Sequence, residues 1–169
     1  MRKVILFIAS SLDGFIARKD NSIDWLFMDN DYGYKKFYDS IDTVLVGNKT
    51  YEKSKEFEEF PFKDKKVFVF TRNKKLKKDE HVEFVNDIIN FSKKLIKSKG
   101  KNIWLVGGGE IAKIFLDNNL LDEVIISIHP IILGNGIPLF NGAKETKLKL
   151  PKHKIFENGL VQLYYKVLK

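Results

Sequence analysis

Short apolar runs recur along the chain, each closed by small or polar residues. The first, Val4-Ile-Leu-Phe-Ile-Ala9, is apolar at every position and stops at Ser10-Ser-Leu-Asp-Gly14. An uninterrupted run of this length predicts a strand buried on both faces, hence central in a sheet. Thr43-Val-Leu-Val46 before Gly47, Lys66-Val-Phe-Val-Phe70 before Thr71, Val82-Glu-Phe-Val85, and Asn102-Ile-Trp-Leu-Val106 before Gly107 repeat the pattern. Helical stretches lie between them at residues 34–40, 50–57, 87–98 and 110–116, the third with Asn86 as N-cap and Gly100 as stop. Strands alternating with helices imply right-handed crossovers and an α/β fold with a mostly parallel sheet.

After Asp122 the rhythm changes. Glu123-Val-Ile-Ile-Ser-Ile-His129 and Leu160-Val-Gln-Leu-Tyr-Tyr-Lys-Val-Leu168 have strand character with no helix between them, and Gly134-Asn-Gly136 and Glu157-Asn-Gly159 are turn signals. This predicts an antiparallel C-terminal hairpin at the edge of the parallel sheet. No internal repeat, low-complexity tract or linker interrupts the chain.

Length and composition narrow the function classes. With 169 residues and 44% hydrophobic content, the chain suffices for one domain, 1–169, and is short for two. No apolar stretch approaches the roughly 20 residues needed to cross a bilayer, and the N-terminal run lacks a signal-type cleavage site. A cytoplasmic, soluble protein without a membrane partner is expected. The absence of cysteine excludes disulfides, thiolate metal sites and a cysteine nucleophile. His81, His129 and His153 are not spaced as metal ligands, so they read as structural or surface residues and no metal is expected. The net charge of +8 is nearly all lysine; Arg2, Arg18 and Arg72 are the only arginines. Lysine blocks such as the one at residues 74–78 read as solvated faces, and guanine readout favours arginine, so nucleic acid is not the expected partner.

Candidate chemistry lies just after the strands, because open α/β sheets bind ligands beyond their carboxyl ends. Gly107-Gly108-Gly109 closes one strand and opens a helix, which brings main-chain N–H groups and a helix start toward an anion; the same glycines can also serve only a tight turn. Gly47-Asn-Lys-Thr50 offers donors at the start of another helix, and Arg72 after Thr71 could fork a phosphate. Thr50 as a plain cap and Arg72 as a surface ion pair are the structural alternatives. Two separated anion sites suit a dinucleotide with a pyrophosphate and a further 2′-phosphate, as in NADPH.

Ser11-Leu-Asp-Gly-Phe-Ile-Ala17, Trp25, Val46-Gly-Asn-Lys-Thr-Tyr51, Trp104-Leu-Val-Gly-Gly-Gly-Glu110 and Pro130-Ile-Ile-Leu-Gly-Asn-Gly-Ile-Pro-Leu-Phe140 resemble, in order, the dihydrofolate reductase-like superfamily. The similarity is nearest to the C-terminal reductase domain of the bifunctional riboflavin deaminase-reductase. It implies a three-layer fold with a mostly parallel central sheet and an antiparallel C-terminal hairpin, an NADPH-dependent reductase, a homodimer, and a cis peptide bond between Gly107 and Gly108. It also implies Gly47, Asn48, Lys49 and Thr50 on the pyrophosphate side, with Thr71 and Arg72 near the adenosine 2′-phosphate. Val106, Gly107, Gly108, Gly109, Glu110, Ile111 and Ala112 would lie along the cofactor, and main chain near Ala9, Ile16 and Ala17 would face the nicotinamide. Two positions depart from the pattern: Asn48 stands where relatives commonly carry arginine, and Glu110 where dihydrofolate reductases often carry a cation.

Deaminase chemistry needs a zinc site with cysteines, which this chain lacks, leaving a reductase-like domain. The implied activity is reduction of a small pterin- or pyrimidine-type ring, related to 5-amino-6-(5-phosphoribosylamino)uracil reductase. Dihydrofolate reductase activity itself, or a nucleotide-binding module without catalysis, are the alternatives. Residues 26–42 are acidic and aromatic, which favours an uncharged or cationic ring over a phosphorylated one. Asp31, six residues after Trp25, resembles in placement the substrate-gripping carboxylate of dihydrofolate reductases, which makes it the candidate catalytic residue, binding the ring's N–H groups and helping to route the proton; it also reads as a helix cap. Ser127 and Trp25 are further substrate contacts, and Asp13 is the second carboxylate, or only a turn former.

Overall fold

The computed structural model describes residues 1–76 and 78–169; Lys77, within the expected lysine face, lies outside them. The apolar runs become β1 (Val4–Ser11), β3 (Ile41–Gly47), β4 (Lys66–Phe70), β5 (Val82–Val85), β6 (Asn102–Gly107) and β7 (Glu123–His129), all mutually parallel. Helices α1 (Tyr34–Asp39), α2 (Asn48–Ser54), α3 (Ile88–Lys97) and α4 (Gly109–Asp117) connect them. The chain adds β2 (Phe15–Ala17), β8 (Ile137–Pro138), β9 (Leu148–Ile155) and β10 (Val161–Val167). The main sheet runs β5-β4-β3-β6-β1-β7-β10-β9, and β2 pairs with β8 in a separate two-stranded ribbon.

The two faces of the central strands explain the continuous apolar runs. Leu6, Leu45, Ile103 and Leu105 turn to one side, where α4 supplies Ala112 and Phe115 and α3 supplies Ile88 and Phe91. Ile5, Val44, Val46 and Trp104 turn to the other, against Phe37 of α1 and Tyr51 of α2. Phe115 is fully buried, so roughly 1.5–3 kcal/mol of side-chain burial ties α4 to the sheet. No helix among the described residues is long and apolar enough to cross a membrane.

Three details differ from the expectations. The strand expected at 160–168 as an edge is interior: β10 lies between β7 and β9, antiparallel to both. The edge belongs to β9, whose sequence Leu-Lys-Leu-Pro-Lys-His-Lys-Ile is exposed at seven of eight positions and so has no apolar face to announce it. Helix α3 is capped by Asp87, which accepts the Asn90 N–H at 3.1 Å, rather than by Asn86. Asn86 instead donates through Nδ2 to the carbonyls of Thr71 (2.9 Å) and Asn73 (3.3 Å), fixing the turn after β4. Helix α2 begins at Asn48, two residues before the expected start, and stops at Ser54.

Candidate cofactor and substrate site

Parallel register brings three strand ends together. Gly47 pairs with Phe70 at the end of β4, and Val46 pairs with Gly107 at the end of β6. The residue after each of these ends therefore opens onto one rim. Gly107 has φ +107°, a Cβ on Gly47 would press against Cγ1 of Ile111 at 3.1 Å, and one on Gly108 would reach only ordinary contact, 3.9 Å from Oγ1 of Thr50. Gly47, Thr50, Gly107, Gly108 and Ile111 are thus one cluster. The Gly107–Gly108 bond is cis.

Both helices that start on this rim have glycine caps, Gly47 for α2 and Gly108 for α4, and neither receives a side-chain cap hydrogen bond. The first N–H groups of a helix have no partner within it, so the opening between them is lined by main-chain donors and by Thr50. Thr71 and Arg72 follow β4 on the same rim. The turn there is held by the Asn73 N–H, which donates to Oγ1 of Thr71 at 3.1 Å. The Arg72 guanidinium lies 3.9 Å from the Glu110 carboxylate with both side chains exposed. Asn48 contributes a buried amide oxygen without a hydrogen-bond partner, and Lys49 is exposed. The main-chain donors of the two helix starts and the Arg72 guanidinium form a donor set that fits the phosphates of a dinucleotide.

The β2–β8 ribbon closes a second side of this rim. Ala17 pairs with Ile137 and Phe15 with Pro138, which sets Ile16 beside β8. A Cβ on Gly109 would lie 2.7 Å from the Pro138 carbonyl oxygen, so β8 abuts the start of α4. Ala9 pairs with Ser127 further along the sheet.

The expected substrate residues divide. Trp25 is buried, its Nε1 has no acceptor among the described residues, and its ring meets His129 edge-on with centroids 5.2 Å apart. Oγ of Ser127 accepts from Nε2 of the fully buried Gln162 at 3.0 Å, so it is already engaged. Asp31 is exposed, and its two carboxylate oxygens accept the N–H groups of Gly33 and Lys35, each at 3.0 Å. That is a helix-start arrangement. Asp13 accepts from the Ser11 hydroxyl at 2.6 Å and from the N–H groups of Leu133 and Gly134 at 3.1 and 2.8 Å. The Ser11 hydroxyl leads in holding its carboxyl below the usual range. Asp13 thereby ties the turn after β1 to residues 133–134.

Sequence reading missed the aromatic wall on the α1 face. Phe7 stacks on Phe37 at 4.3 Å, Trp104 meets Phe37 edge-on at 5.4 Å, and the half-exposed Tyr34 lies 5.8 Å from Trp104. The spacing Tyr34, Phe37, Tyr38 on one helix was the available signal. It also missed Lys154 of β9, whose Nζ is 3.8 Å from where a Cβ on Gly33 would stand. A separate cleft of about 290 Å³, lined by residues including Tyr51, Phe57, Phe60, Asp79 and His81, lies at the start of β5, and none of the expected site residues lines it.

Comparison with known proteins bears on the family and the fold. The chain is 45% identical over 170 residues to the uncharacterized protein YwjB of Bacillus subtilis, covering 97% of each. Among solved structures it resembles a Shewanella sp. PV-4 protein assigned to riboflavin biosynthesis, at 28% identity, 99% coverage of both chains and TM-score 0.85. A diaminohydroxyphosphoribosylaminopyrimidine deaminase/5-amino-6-(5-phosphoribosylamino)uracil reductase of Thermotoga maritima follows at 21% identity and TM-score 0.79. That match covers 99% of this chain and 57% of that one. The dihydrofolate reductase of Enterococcus faecalis, complexed with NADP(H), shares the fold at 16% identity and TM-score 0.74, over 99% of this chain and 97% of the enzyme. The RibD C-terminal domain family matches residues 2–162, and the chain belongs to that family, with a dihydrofolate reductase-like fold.

Proposed function

We propose that the chain is an NADPH-dependent reductase of a small pterin- or pyrimidine-type ring. The observation that carries this reading is the rim where Gly47, Thr50, Gly107 and Gly108 converge beneath two helix starts without side-chain caps. When bound, the dinucleotide supplies a hydride; the substrate gains that hydride and one proton, and the cofactor leaves as NADP⁺. The chain's residues then have defined tasks. Main chain after β3 and β6 grips phosphate, Arg72 meets the adenosine end, and the β2–β8 ribbon excludes water beside Ala17. The exposed ring of Tyr34, packed edge-on against Phe7 and the buried Trp104, offers an apolar face to a ring.

Titrating NADPH while following tryptophan fluorescence, then measuring its oxidation with a panel of oxidised pterins and pyrimidines, tests the reading. Saturable binding with turnover of at least one ring class is expected. Binding without turnover across a broad panel would favour a non-catalytic nucleotide module, and absence of binding would end the proposal. In the same assay Asp31→Asn, which keeps an acceptor for α1, is expected to retain turnover within about threefold, with the proton drawn from water. Asp31→Ala is expected to cost about 1 kcal/mol of stability, as loss of a cap does. A hundredfold fall in turnover for a folded Asp31→Asn would instead assign the carboxylate to proton delivery. A second copy of the chain is the proposed partner, met along the β9 edge. Light scattering at micromolar concentration should give twice the 19.7 kDa chain mass, and a monomer would remove that part of the proposal.

A further inference from the structure

We infer that Arg72 and Glu110 act together at the adenosine end of the site, so that it accepts NADH alongside NADPH. The inference rests on the reductase reading and concerns which ribose that site prefers. Arg72 stands two residues beyond Phe70, the register partner of Gly47, and Glu110 is the second residue of α4. Their side chains are 98% and 77% exposed and meet at 3.9 Å. Both charged heads are therefore in solvent at the mouth of the rim, facing one another.

An arginine alone would favour the cofactor bearing a 2′-phosphate, since a guanidinium forks two phosphate oxygens. Glu110 changes that balance. A phosphate brought onto Arg72 also comes close to the Glu110 carboxylate, whose charge opposes it. A free 2′-hydroxyl meets the opposite situation, because it can donate a hydrogen bond to a carboxylate; acidic residues serve this purpose in dinucleotide sites that take NAD.

The pair is solvated, so its influence is moderate. Two unit charges about 4 Å apart in water interact by an amount equivalent to roughly a fivefold change in affinity. The wild-type chain is expected to bind NADPH and NADH within about tenfold of one another. Glu110→Gln should tighten NADPH by about three- to tenfold and leave NADH equal or weaker, and Arg72→Ala should shift the ratio toward NADH. Both side chains are exposed, so folding should persist, which circular dichroism checks.

The decisive measurement is calorimetric titration of adenosine 2′,5′-bisphosphate and 5′-AMP against wild type, Glu110→Gln, Arg72→Ala and the double variant, a readout independent of turnover. Non-additive changes for the bisphosphate alone support the coupling. A wild-type preference for the bisphosphate above a hundredfold, unmoved by Glu110→Gln, overturns the inference and leaves the reductase reading intact. No binding of either nucleotide or of NADPH and NADH overturns both.

Discussion

Gly109→Ala is expected to lower the melting temperature by roughly 2–12 °C and to weaken dinucleotide binding at least tenfold. The cause is steric, since Gly109 does not adopt a left-handed φ. An added Cβ would lie 2.7 Å from the Pro138 carbonyl oxygen and 3.1 Å from that of Leu139. Both are backbone atoms, so either the start of α4 or the β2–β8 ribbon must move. Overpacking of this kind costs about 1–3 kcal/mol, and in a domain of this size each kcal/mol corresponds to roughly 2–4 °C. The start of α4 carries the phosphate-facing N–H groups, so its displacement reaches the cofactor as well as the fold.

Gly134→Ala is the matched control. Gly134 has φ +73° and nothing within 4 Å of an added Cβ, so only the conformational cost of about 1–2 kcal/mol applies. Its binding should be unchanged. Thermal melts and NADPH titrations of the two variants separate crowding from backbone strain. Wild-type affinity in a fully folded Gly109→Ala would show that β8 and α4 do not need their close contact.

The central strands were legible because burial on both faces writes itself as unbroken apolarity, as in Val4-Ile-Leu-Phe-Ile-Ala9. The elements missed lack that signature. In β9 lysines alternate with Leu148, Leu150, Pro151 and His153 on a strand that is mostly solvent-facing, and a proline argues against strand in any pattern-based reading. Strands of three and two residues, β2 and β8, are too short to show a period, and they exist because Leu139 N–H donates to the Gly14 carbonyl at 3.0 Å and closes the ribbon. Missing β9 had a further consequence: with it invisible, Leu160–Leu168 looked like the edge.

Site residues followed the same logic. The glycine rim was readable because glycines stand at the ends of two apolar runs, where Gly107 takes φ +107°. The partners of the charged residues were not, since they come from distant segments. The pairing of Arg72 with Glu110 spans 38 positions by their numbers, and Asp13 reaches residues 133–134. The acidic look of residues 26–42 also changes in three dimensions. Asp29 accepts from the Tyr32 hydroxyl, Asp31 from α1, and Asp39 pairs with Lys35 at 3.1 Å. With Lys154 near Gly33, the segment no longer argues strongly against an anionic substituent on the ring.

Stability is expected to decline as pH falls below about 6.5, and His129→Gln should flatten that decline. His129 is 3% exposed at the end of β7. Nε2 accepts the Phe27 N–H at 3.2 Å, which leaves Nδ1 to carry the proton toward the Ser127 carbonyl at 3.3 Å; the tautomer follows from those two partners. Burial pushes its pKa below the ordinary imidazole value, against smaller opposing effects from the Ser127 and Ser10 carbonyls. The unfolded chain therefore takes up a proton first as pH falls through about 6.5. From there down to the lowered folded-state pKa, folding loses up to about 1.4 kcal/mol per pH unit; above 6.5 there is no loss. Protonating Nε2 also removes the acceptor for Phe27, freeing the segment that seats Trp25 against the sheet. Glutamine retains an acceptor and does not titrate, whereas His129→Phe leaves the Phe27 N–H unmatched at a cost of about 1–3 kcal/mol at every pH. Urea denaturation of the three proteins at pH 7.5 and 5.5 decides the matter. An equal pH dependence in wild type and His129→Gln would place the acid lability elsewhere, among the carboxylates whose pKa values the fold depresses.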